Sequence, residues 1–277
     1  MRIGVTMFAT DQTVAVVELA REVEARGLAS LYVPEHTHIP TSRNTPPPTG
    51  EAELAEEYKR TLDPLVALAM AAAVTENLVV GTGILLPAQR DPIVTAKAIA
   101  TLDSQSGGRF RLGIGFGWNQ DELAHHGVAM RDRREVTRER IAAMRALWQN
   151  DEGEYHGTHV DFSASWSWPK CSDRHGPPVW IGGAPGPKLL AAVAEYGDGW
   201  LPIGGAGVRA ALGELRVLCE QRGRDVNELT IIPFGTIPDP GKLSYYADLG
   251  IEEVVLRVPG GTRDEVLPVL DSFAALA

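Results

Sequence analysis

The sequence predicts an α/β protein, and within that class a (β/α)8 barrel of the TIM type. Three observations support this prediction. Short apolar segments alternate with helix-length segments along nearly all of the 277 residues. The connections between successive strands are long enough for the crossovers that parallel strands require. The alternation yields eight strands and eight helices, a count that a doubly wound open sheet seldom needs in a chain of about this length.

The predicted strands are short apolar segments bounded by turn residues. The third and fourth, with the helix-length segment between them, form the clearest β–α–β unit of the chain. In chain order the eight strands are Arg2–Met7, Ser30–Val33, Leu78–Gly83, Phe110–Ile114, Val179–Ile181, Gly199–Pro202, Leu229–Phe234 and Glu253–Val258.

The predicted helices show capping residues at several of their ends. Asp63-Pro64 and Asp91-Pro92 each combine an N-cap aspartate with a proline in the first turn. Gly27 and the pair Gly107-Gly108 are typical of helix C-termini. The eight helices are predicted over Asp11–Gly27, Asp63–Glu76, Asp91–Gly107, Arg131–Gln149, Pro187–Tyr196, Val208–Arg222, Lys242–Leu249 and Asp264–Ala275.

One segment departs from this alternation. Around Gly153–Ser172, before the fifth strand, the stretch EGEYHGTHVDF predicts a small hairpin and SASWSWPK an aromatic loop. We expect this hairpin and loop to be an insertion in a single barrel domain that covers residues 1–277.

Charge and composition narrow the classes of partner. The formal net charge of −10 argues against nucleic acid or an anionic membrane, since both bind basic surfaces. No segment approaches the roughly 18 consecutive apolar residues of a membrane span, and the first residues lack the pattern of a signal peptide. The two cysteines, Cys171 and Cys219, have no metal or redox spacing. We therefore expect a reduced, cytoplasmic protein whose partner is a small molecule.

Two strands end in glycine-containing turns at the edge where parallel α/β folds place their chemistry. Gly115-Phe116-Gly117-Trp118 follows the fourth strand, and Gly182-Gly183-Ala184 follows the fifth. The first turn fails the dinucleotide pattern G-x-G-x-x-G, because Trp118 stands where the third glycine should be. Such glycines let a flat or anionic ligand approach the backbone, and amides at the start of a helix favour a phosphate. The alternative is a pair of ordinary strand exits.

Glu35 and His36 end the second strand and open a long polar loop that reaches about Tyr58. A histidine there is a candidate general base or a donor to a bound ring, although a loop histidine bonded to backbone is the ordinary alternative. The spacing His36-x-His38 also suits a metal pair. The ends of the last three strands offer no further ligands, so we expect no metal. With few ionisable groups at the strand ends, the pattern favours a bound organic cofactor that supplies the chemistry.

Several stretches of the chain resemble the luciferase-like family of flavin and deazaflavin oxidoreductases, and more closely its actinobacterial branch that depends on coenzyme F420, a 5-deazaflavin. The matching stretches cover most of Met1–Ile203 and include MRIGVTMF, LYVPEHTHIPTSR, EEYKRTLDP, VGTGILLPAQRDPIVTAKAIATLDSQSGGRFRLGIGFGWNQDEL and VWIGG. The residues after Ile203 are typical of barrels in general.

The resemblance implies that a cofactor lies across the carboxyl-end face of the barrel. It implies a non-proline cis peptide at Gly83–Ile84 behind the central ring, with further cofactor contacts at Gly115–Trp118 and Gly182–Ala184. It also implies that Glu35 and His36 lie near the cofactor head and the substrate, as the catalytic residues. A homodimer is a further expectation from the relatives.

On this basis we expect an oxidoreductase that transfers a hydride between C5 of F420 and a small organic substrate. His36 would polarise or deprotonate the substrate, while Glu35 would support the ring or orient His36. The Thr37–Tyr58 loop, Trp166 and Trp168 are expected to close over the substrate. The alternatives are an FMN-dependent monooxygenase on the same scaffold and a cofactor-binding relative without catalysis.

One position departs from the family pattern. The sugar-phosphate dehydrogenases of the family carry a glutamate acid in the turn after the fourth strand, where this chain has Trp118. That difference weakens an assignment to this type of dehydrogenase. Glu122 lies one turn further along, and we expect it to point elsewhere.

Overall fold

The computed structural model describes residues 1–41, 44–46, 50 and 53–276. Within them the strands are β1 (Arg2–Thr6), β2 (Ser30–Val33), β3 (Val79–Leu85), β4 (Phe110–Ile114), β5 (Glu152–His156), β6 (Asp161–Trp166), β7 (Val179–Gly182), β8 (Gly199–Leu201), β9 (Thr230–Ile231), β10 (Phe234–Thr236) and β11 (Glu253–Arg257).

Helices connect most of these strands. They are α1 (Val16–Ala25), α2 (Glu57–Arg60), α3 (Pro64–Ala73), α4 (Pro92–Gln105), α5 (Gln120–His125), α6 (Arg133–Gln149), α7 (Pro187–Tyr196), α8 (Val208–Glu220), α9 (Pro240–Asp248) and α10 (Arg263–Ala274). Across the described ranges, none of these helices combines the length and the apolar character needed to cross a membrane.

Nine of the described strands form one curled sheet of the TIM-barrel type. The order of neighbours is β10-β11-β1-β2-β3-β4-β7-β8-β9, and each neighbouring pair is parallel. The strand carboxyl ends therefore lie together on one face of the molecule. The predicted parallel sheet with connecting helices is confirmed.

The seventh predicted strand, Leu229–Phe234, is divided into β9 and β10. Pro233 lies at the division and has no N–H to donate to the ladder. The ladder to β8 continues past β9, because the Ile232 N–H donates to the Trp200 carbonyl at 3.0 Å. β10 then pairs with β11, so two consecutive pieces of the chain lie at the two ends of the sheet order.

The N-caps predicted for α3 and α4 are confirmed. The Asp63 carboxylate accepts from the Val66 N–H at 3.0 Å, and the Asp91 carboxylate accepts from the Val94 N–H at 2.9 Å. Each satisfies an amide that the helix leaves unpaired. α1 begins later than predicted, at Val16, because the preceding segment forms a hydrogen-bonded turn instead.

β5 and β6 form a separate antiparallel hairpin beside α6. Trp166 is 78% exposed there, and its Nε1 donates to Glu152 at 3.1 Å. The Trp168 carbonyl accepts from Lys97 of α4, and its ring lies 5.1 Å from Lys170 Nζ. None of these partners is a predicted site residue, so the contacts of the two tryptophans do not support a position over the substrate.

Two of the three clusters of buried apolar residues in the described ranges lie on the two sides of the sheet. The larger lies between the sheet and the surrounding helices. The smaller fills the inside of the curled sheet with Tyr32, Trp180, Leu201, Ile232, Phe234 and Val255. Tyr32 and Phe234 meet edge to face with ring centroids 5.5 Å apart. The carboxyl-end face therefore rests on a packed apolar layer.

β3 extends past its predicted end at Gly83 and carries an irregularity near the site. Its pairing with β4 shifts register between Thr82 and Leu85. The Gly83–Ile84 peptide bond is cis, as the resemblance implies. Ile84 is half-buried and packs on the inner core. The end of β3 thus presents an apolar side chain to the carboxyl-end face.

Glu35 holds the end of β2 against the segment that follows β3. Its buried carboxylate accepts from the Leu86 N–H at 2.6 Å and from Arg90 Nε at 2.5 Å. Arg90 also pairs with Asp63 at 2.5 Å. Burial raises the pKa of Glu35 above its ordinary value, while Arg90 and the Leu86 N–H oppose that rise. This ion-pair network joins β2, the end of β3 and the start of α3.

Replacement of Arg90 by methionine should destabilise the fold by about 3–5 kcal/mol at neutral pH, because it leaves Glu35 buried without its ionic partner. The defect should shrink in acid. A carboxyl whose folded pKa is raised binds its proton more tightly in the folded state, so stability is lost as the pH rises from the ordinary glutamate value through the raised one.

Denaturant unfolding of Arg90→Met near pH 5 and pH 7 measures both effects. Arg131→Met is the control, because that side chain is 87% exposed, and it should change the free energy of unfolding by less than about 0.5 kcal/mol. An equal loss at both pH values would contradict the assignment of Glu35 as the buried charge.

Candidate functional site

Four aromatic side chains meet at the carboxyl-end face, and we call them the aromatic cluster. Phe8 follows β1, His36 follows β2, Tyr58 lies in α2 and Trp118 follows β4. The Tyr58 ring centroid lies 4.9 Å from that of Phe8, 5.3 Å from that of His36 and 6.1 Å from that of Trp118. The His36 and Trp118 rings meet edge to face at 5.8 Å. Strand ends that are distant in sequence therefore build one surface.

The His36 imidazole lies between Trp118 and Glu122. Its Nδ1 is 2.9 Å from Glu122 Oε2, and its Nε2 is 3.4 Å from Trp118 Nε1. An indole N–H can only donate, so Nε2 is the acceptor and Nδ1 carries the hydrogen that Glu122 accepts. The two neighbours together select one tautomer of the neutral imidazole.

Glu122 is the site residue that sequence analysis missed, and the expectation that it points elsewhere is wrong. Its side chain is 1% exposed. α5 begins just before it, with Asn119 as N-cap accepting from the N–H of Asp121 at 3.2 Å. This helical turn directs Glu122 inward, where its Oε1 accepts from the Thr37 N–H at 3.3 Å. The sequence Asn119-Gln-Asp-Glu did carry an N-cap pattern that indicates a short helix here.

Glu35 has a different environment from the one expected of a residue that orients His36. The carboxylate contacts Leu86 and Arg90, and it is Glu122 that contacts the His36 Nδ1. Successive side chains at a strand end point to opposite sides, which explains why the two neighbours diverge. A supporting role for Glu35 behind the Gly83–Ile84 segment stays a prediction.

Three of the predicted cofactor-binding glycines surround apolar side chains. A Cβ at Gly115 would lie 1.7 Å from Ile84 Cδ1, and one at Gly182 would lie 2.6 Å from Ile84 Cγ2. A Cβ at Gly83 would lie 2.2 Å from Phe234 Cζ. Packing of Ile84 and Phe234 therefore requires these glycines even without a ligand. The resulting surface, with Ile84 half-buried among three strand ends, fits one face of a flat ring system.

The second glycine turn differs, because part of it is open. Gly183 has φ 150°, and a Cβ there would lie 2.5 Å from Leu189, so glycine is required. Ala184 is exposed, and a Cβ at Gly186, the N-cap of α7, would meet nothing within 4 Å. The turn before α7 therefore has room for the anionic end of a cofactor. Lys188 is the first residue of the helix with an N–H, since Pro187 has none, and the Leu189 N–H donates to the Gly186 carbonyl at 3.0 Å.

Phe116 and Gly117 complete the turn after β4. Gly117 has φ 76°, the left-handed region that favours glycine. The guanidinium carbon of Arg134 lies 4.0 Å from the centroid of the buried Phe116 ring. Arg134 also donates to the Lys188 carbonyl of α7 at 3.4 Å. Burial lowers the pKa of Arg134. A half-buried cation therefore lies between the turn after β4 and the start of α7.

His38 does not share a site with His36. Its Nε2 is 2.9 Å from His125 Nδ1 and the two rings stack at 5.1 Å, while Thr37 Oγ1 lies 2.8 Å from His126 Nε2. His38, His125 and His126 form a group at the end of α5, in which His38 and His125 are exposed and His126 is partly buried. Over the described ranges, no set of three His, Cys, Asp or Glu side chains is arranged to hold a metal ion.

The loop predicted over Thr37–Tyr58 is described only in part. Its described portion contacts the start of α5, because the Asn44 N–H donates to Asp121 at 2.8 Å and the Gln120 N–H donates to Thr45 Oγ1 at 3.1 Å. Closure of this loop over a substrate stays a prediction. The part of that prediction that lies outside the described residues covers 42–43, 47–49 and 51–52.

Comparisons with known proteins agree with this architecture. An uncharacterized protein of Mycobacterium tuberculosis is 40% identical over 278 residues, which cover 99% of this chain and 98% of the relative. A crystal structure of a monooxygenase from Streptomyces bottropensis matches with a TM-score of 0.79 at 20% identity, over 99% of this chain and 98% of that one. An F420-dependent secondary alcohol dehydrogenase, solved with an F420–acetone adduct, matches with a TM-score of 0.79 at 17% identity, over 100% and 98%.

The two solved structures share the fold of this chain. A family model described as luciferase-like monooxygenase matches residues 2–237, a range that includes the aromatic cluster, Glu122 and both glycine turns. Members of this family are oxidoreductases and monooxygenases. The chain therefore belongs to the luciferase-like monooxygenase family, and it is an enzyme of the oxidoreductase class.

Proposed function

We propose that this protein is an F420-dependent oxidoreductase that transfers a hydride between the deazaflavin and a small organic substrate. The observation that carries the proposal is the pairing of His36 with the buried Glu122 inside the aromatic cluster. A proton acceptor is thereby held at the face where the family binds its cofactor. In this proposal β9 and β10 count as one strand, and the chain is a single (β/α)8 barrel with the β5–β6 hairpin inserted. A homodimer stays a prediction.

The residues present fit a deazaflavin. When bound, this cofactor supplies a two-electron carrier that gives or accepts a hydride. Ile84 would lie behind its ring, and the open turn at Gly183 and Ala184 would hold its anionic end. Arg134 adds positive charge beside the same turn. His36 Nε2 would take up or return the substrate proton, while Tyr58 and Trp118 exclude water from it.

An FMN-dependent monooxygenase is the second candidate. The solved structure of the Streptomyces bottropensis monooxygenase matches this chain as well in TM-score as the F420-dependent alcohol dehydrogenase does. The two candidates differ in one property of the cofactor, since a reduced flavin reacts readily with oxygen and a reduced deazaflavin does not. Cofactor preference therefore decides between them.

The purified, cofactor-free protein should bind F420 with a dissociation constant in the micromolar range and should not bind FMN. A fluorescence titration with each cofactor under identical conditions measures this. Binding of FMN alone would support the monooxygenase instead. Binding of neither cofactor would contradict both candidates.

Ala184→Asp should weaken F420 binding by about tenfold or more, because a carboxylate would face the anionic end of the cofactor. An acidic residue near the start of α7 is favourable for the helix, so the variant should fold. Ala247→Asp is the control: this exposed residue lies in the last turn of α9, at the opposite end of the barrel, and its affinity should match wild type. Unchanged affinity in Ala184→Asp would contradict the proposed position of the anionic end.

His36→Ala should bind F420 as wild type does and should lose turnover by roughly 10²–10⁴-fold, because the proton acceptor is gone. Steady-state loss of deazaflavin absorbance, with a substrate that wild type turns over, gives the rate. His175→Ala removes an exposed histidine ahead of β7 and should retain full activity. A folded His36→Ala enzyme with normal turnover would rule out the assigned role.

A further inference from the structure

We propose that Glu122 is a positioning residue for His36, and that the pair acts with Trp118 on an uncharged carbinol or carbonyl group. This inference rests on the proposed hydride transfer. It adds two points to that proposal. The first is the residue that balances the charge of His36 during the reaction, and the second is the chemical class of the substrate.

Glu122 differs from the other buried acids in its partner. Two of the others pair with arginine and two accept backbone N–H groups. Glu122 pairs with an imidazole, whose charge can change, and a carboxylate in that position stabilises the protonated ring. The buried carboxylates in the described part of the chain are Glu35, Asp103, Glu122, Glu139 and Glu253.

The geometry leaves His36 Nε2 for the substrate. Glu122 occupies Nδ1 at 2.9 Å, whereas the contact from Trp118 Nε1 to Nε2, at 3.4 Å, is at the long end of the range for a hydrogen bond. A hydroxyl oxygen at this point can accept from the indole N–H and donate its own hydrogen to Nε2. The titratable groups that face the imidazole are Glu122 from α5 and Tyr58 from α2, while the His38 and His126 rings contact the adjacent Thr37.

The surroundings favour a substrate without charge. Phe8 and Tyr58 offer aromatic surface next to the imidazole. Two arginines beside the cluster are paired with acids: Arg60 with Asp11 at 2.9 Å, and Arg257 with Glu57. A phosphate or carboxylate on the substrate would have to displace these pairs. A neutral carbinol or ketone needs only the donor and the acceptor described above.

The proton and the electrons balance in a single step. In the oxidation direction, the substrate C–H bond would break and its electron pair would leave with the hydride, for which bound oxidised F420 would be the acceptor. The O–H proton passes to His36 Nε2, a C=O bond forms, and the imidazolium is stabilised by Glu122 on the far side of the ring. In the reduction direction, the imidazolium returns the proton to the oxygen as the hydride arrives.

The first test is NMR of the cofactor-free protein labelled with ¹⁵N-histidine, with the His36 signals assigned by their loss in His36→Gln. Wild type should show the tautomer protonated at Nδ1. In Glu122→Leu the share of the ring protonated at Nδ1 should fall, because the carboxylate that accepts this hydrogen is removed. A wild-type ring protonated at Nε2, or an unchanged tautomer in the variant, would overturn the positioning role.

The second test is turnover with F420 and cyclohexanol as an uncharged probe, beside glucose 6-phosphate as a charged one. Glu122→Gln should lower kcat on the order of 100-fold with little change in KM, because the imidazole loses the carboxylate that orients it and balances its charge. Glu122→Asp keeps the charge and should recover part of the rate. Oxidation of glucose 6-phosphate in preference to cyclohexanol, or of neither, would overturn the substrate class.

Two controls distinguish a failure of the Glu122 role from a failure of folding or of F420 binding. Glu135→Gln removes an exposed carboxylate of α6 and should leave both readouts at wild-type values. Thermal unfolding of the Glu122 variants shows whether they are folded at the temperature of measurement. If wild type does not bind F420, the proposed function fails while the NMR result still decides the pairing of Glu122 with His36.

Discussion

A buried carboxylate beside an imidazole is the constraint on which this site depends. Glu122 is 1% exposed, and such a charge is tolerated only when hydrogen bonds replace its water. Its partners, His36 and the Thr37 N–H, both belong to the segment after β2, whereas Glu122 itself follows β4. Because β3 lies between these two strands, the contact spans the end of β3, where the bulge and Ile84 lie. The tautomer of His36 is thus set by the arrangement of three strand ends.

The adjacent residues Glu35 and His36 have different roles, one structural and one chemical. Glu35 points toward Leu86 and Arg90 and holds the end of β3 in place. His36 points toward the aromatic cluster, where Trp118 Nε1 lies 3.4 Å from its Nε2. The two are coupled through the backbone they share, so loss of the Glu35–Arg90 contact should disturb His36 as well as the fold. In the sequence Glu35 and His36 resemble one catalytic pair, but in the structure they contact different partners.

The sequence predicted the features that depend on local pattern: the strand–helix alternation, the aspartate caps, the hairpin and the face that carries His36. It did not predict features set by packing between distant segments. Glu122 turns inward because of the α5 cap and the space beneath His36, and neither is visible in spacing alone. The glycine at 115 indicated a ligand in sequence, whereas the structure shows that Ile84 occupies the space a side chain would need. The seventh strand divides at Pro233, whose missing N–H interrupts a pattern that is otherwise continuous.

In the proposed complex, His36 Nε2 lies beside the reacting carbon of the cofactor. A crystal structure of the protein with bound F420 tests it most directly. We expect the deazaflavin ring to lie against Ile84, with C5 on the same side as His36 Nε2 and with Glu122 still bonded to Nδ1. A ring that lies elsewhere on the face, or whose C5 is turned away from His36, would contradict it.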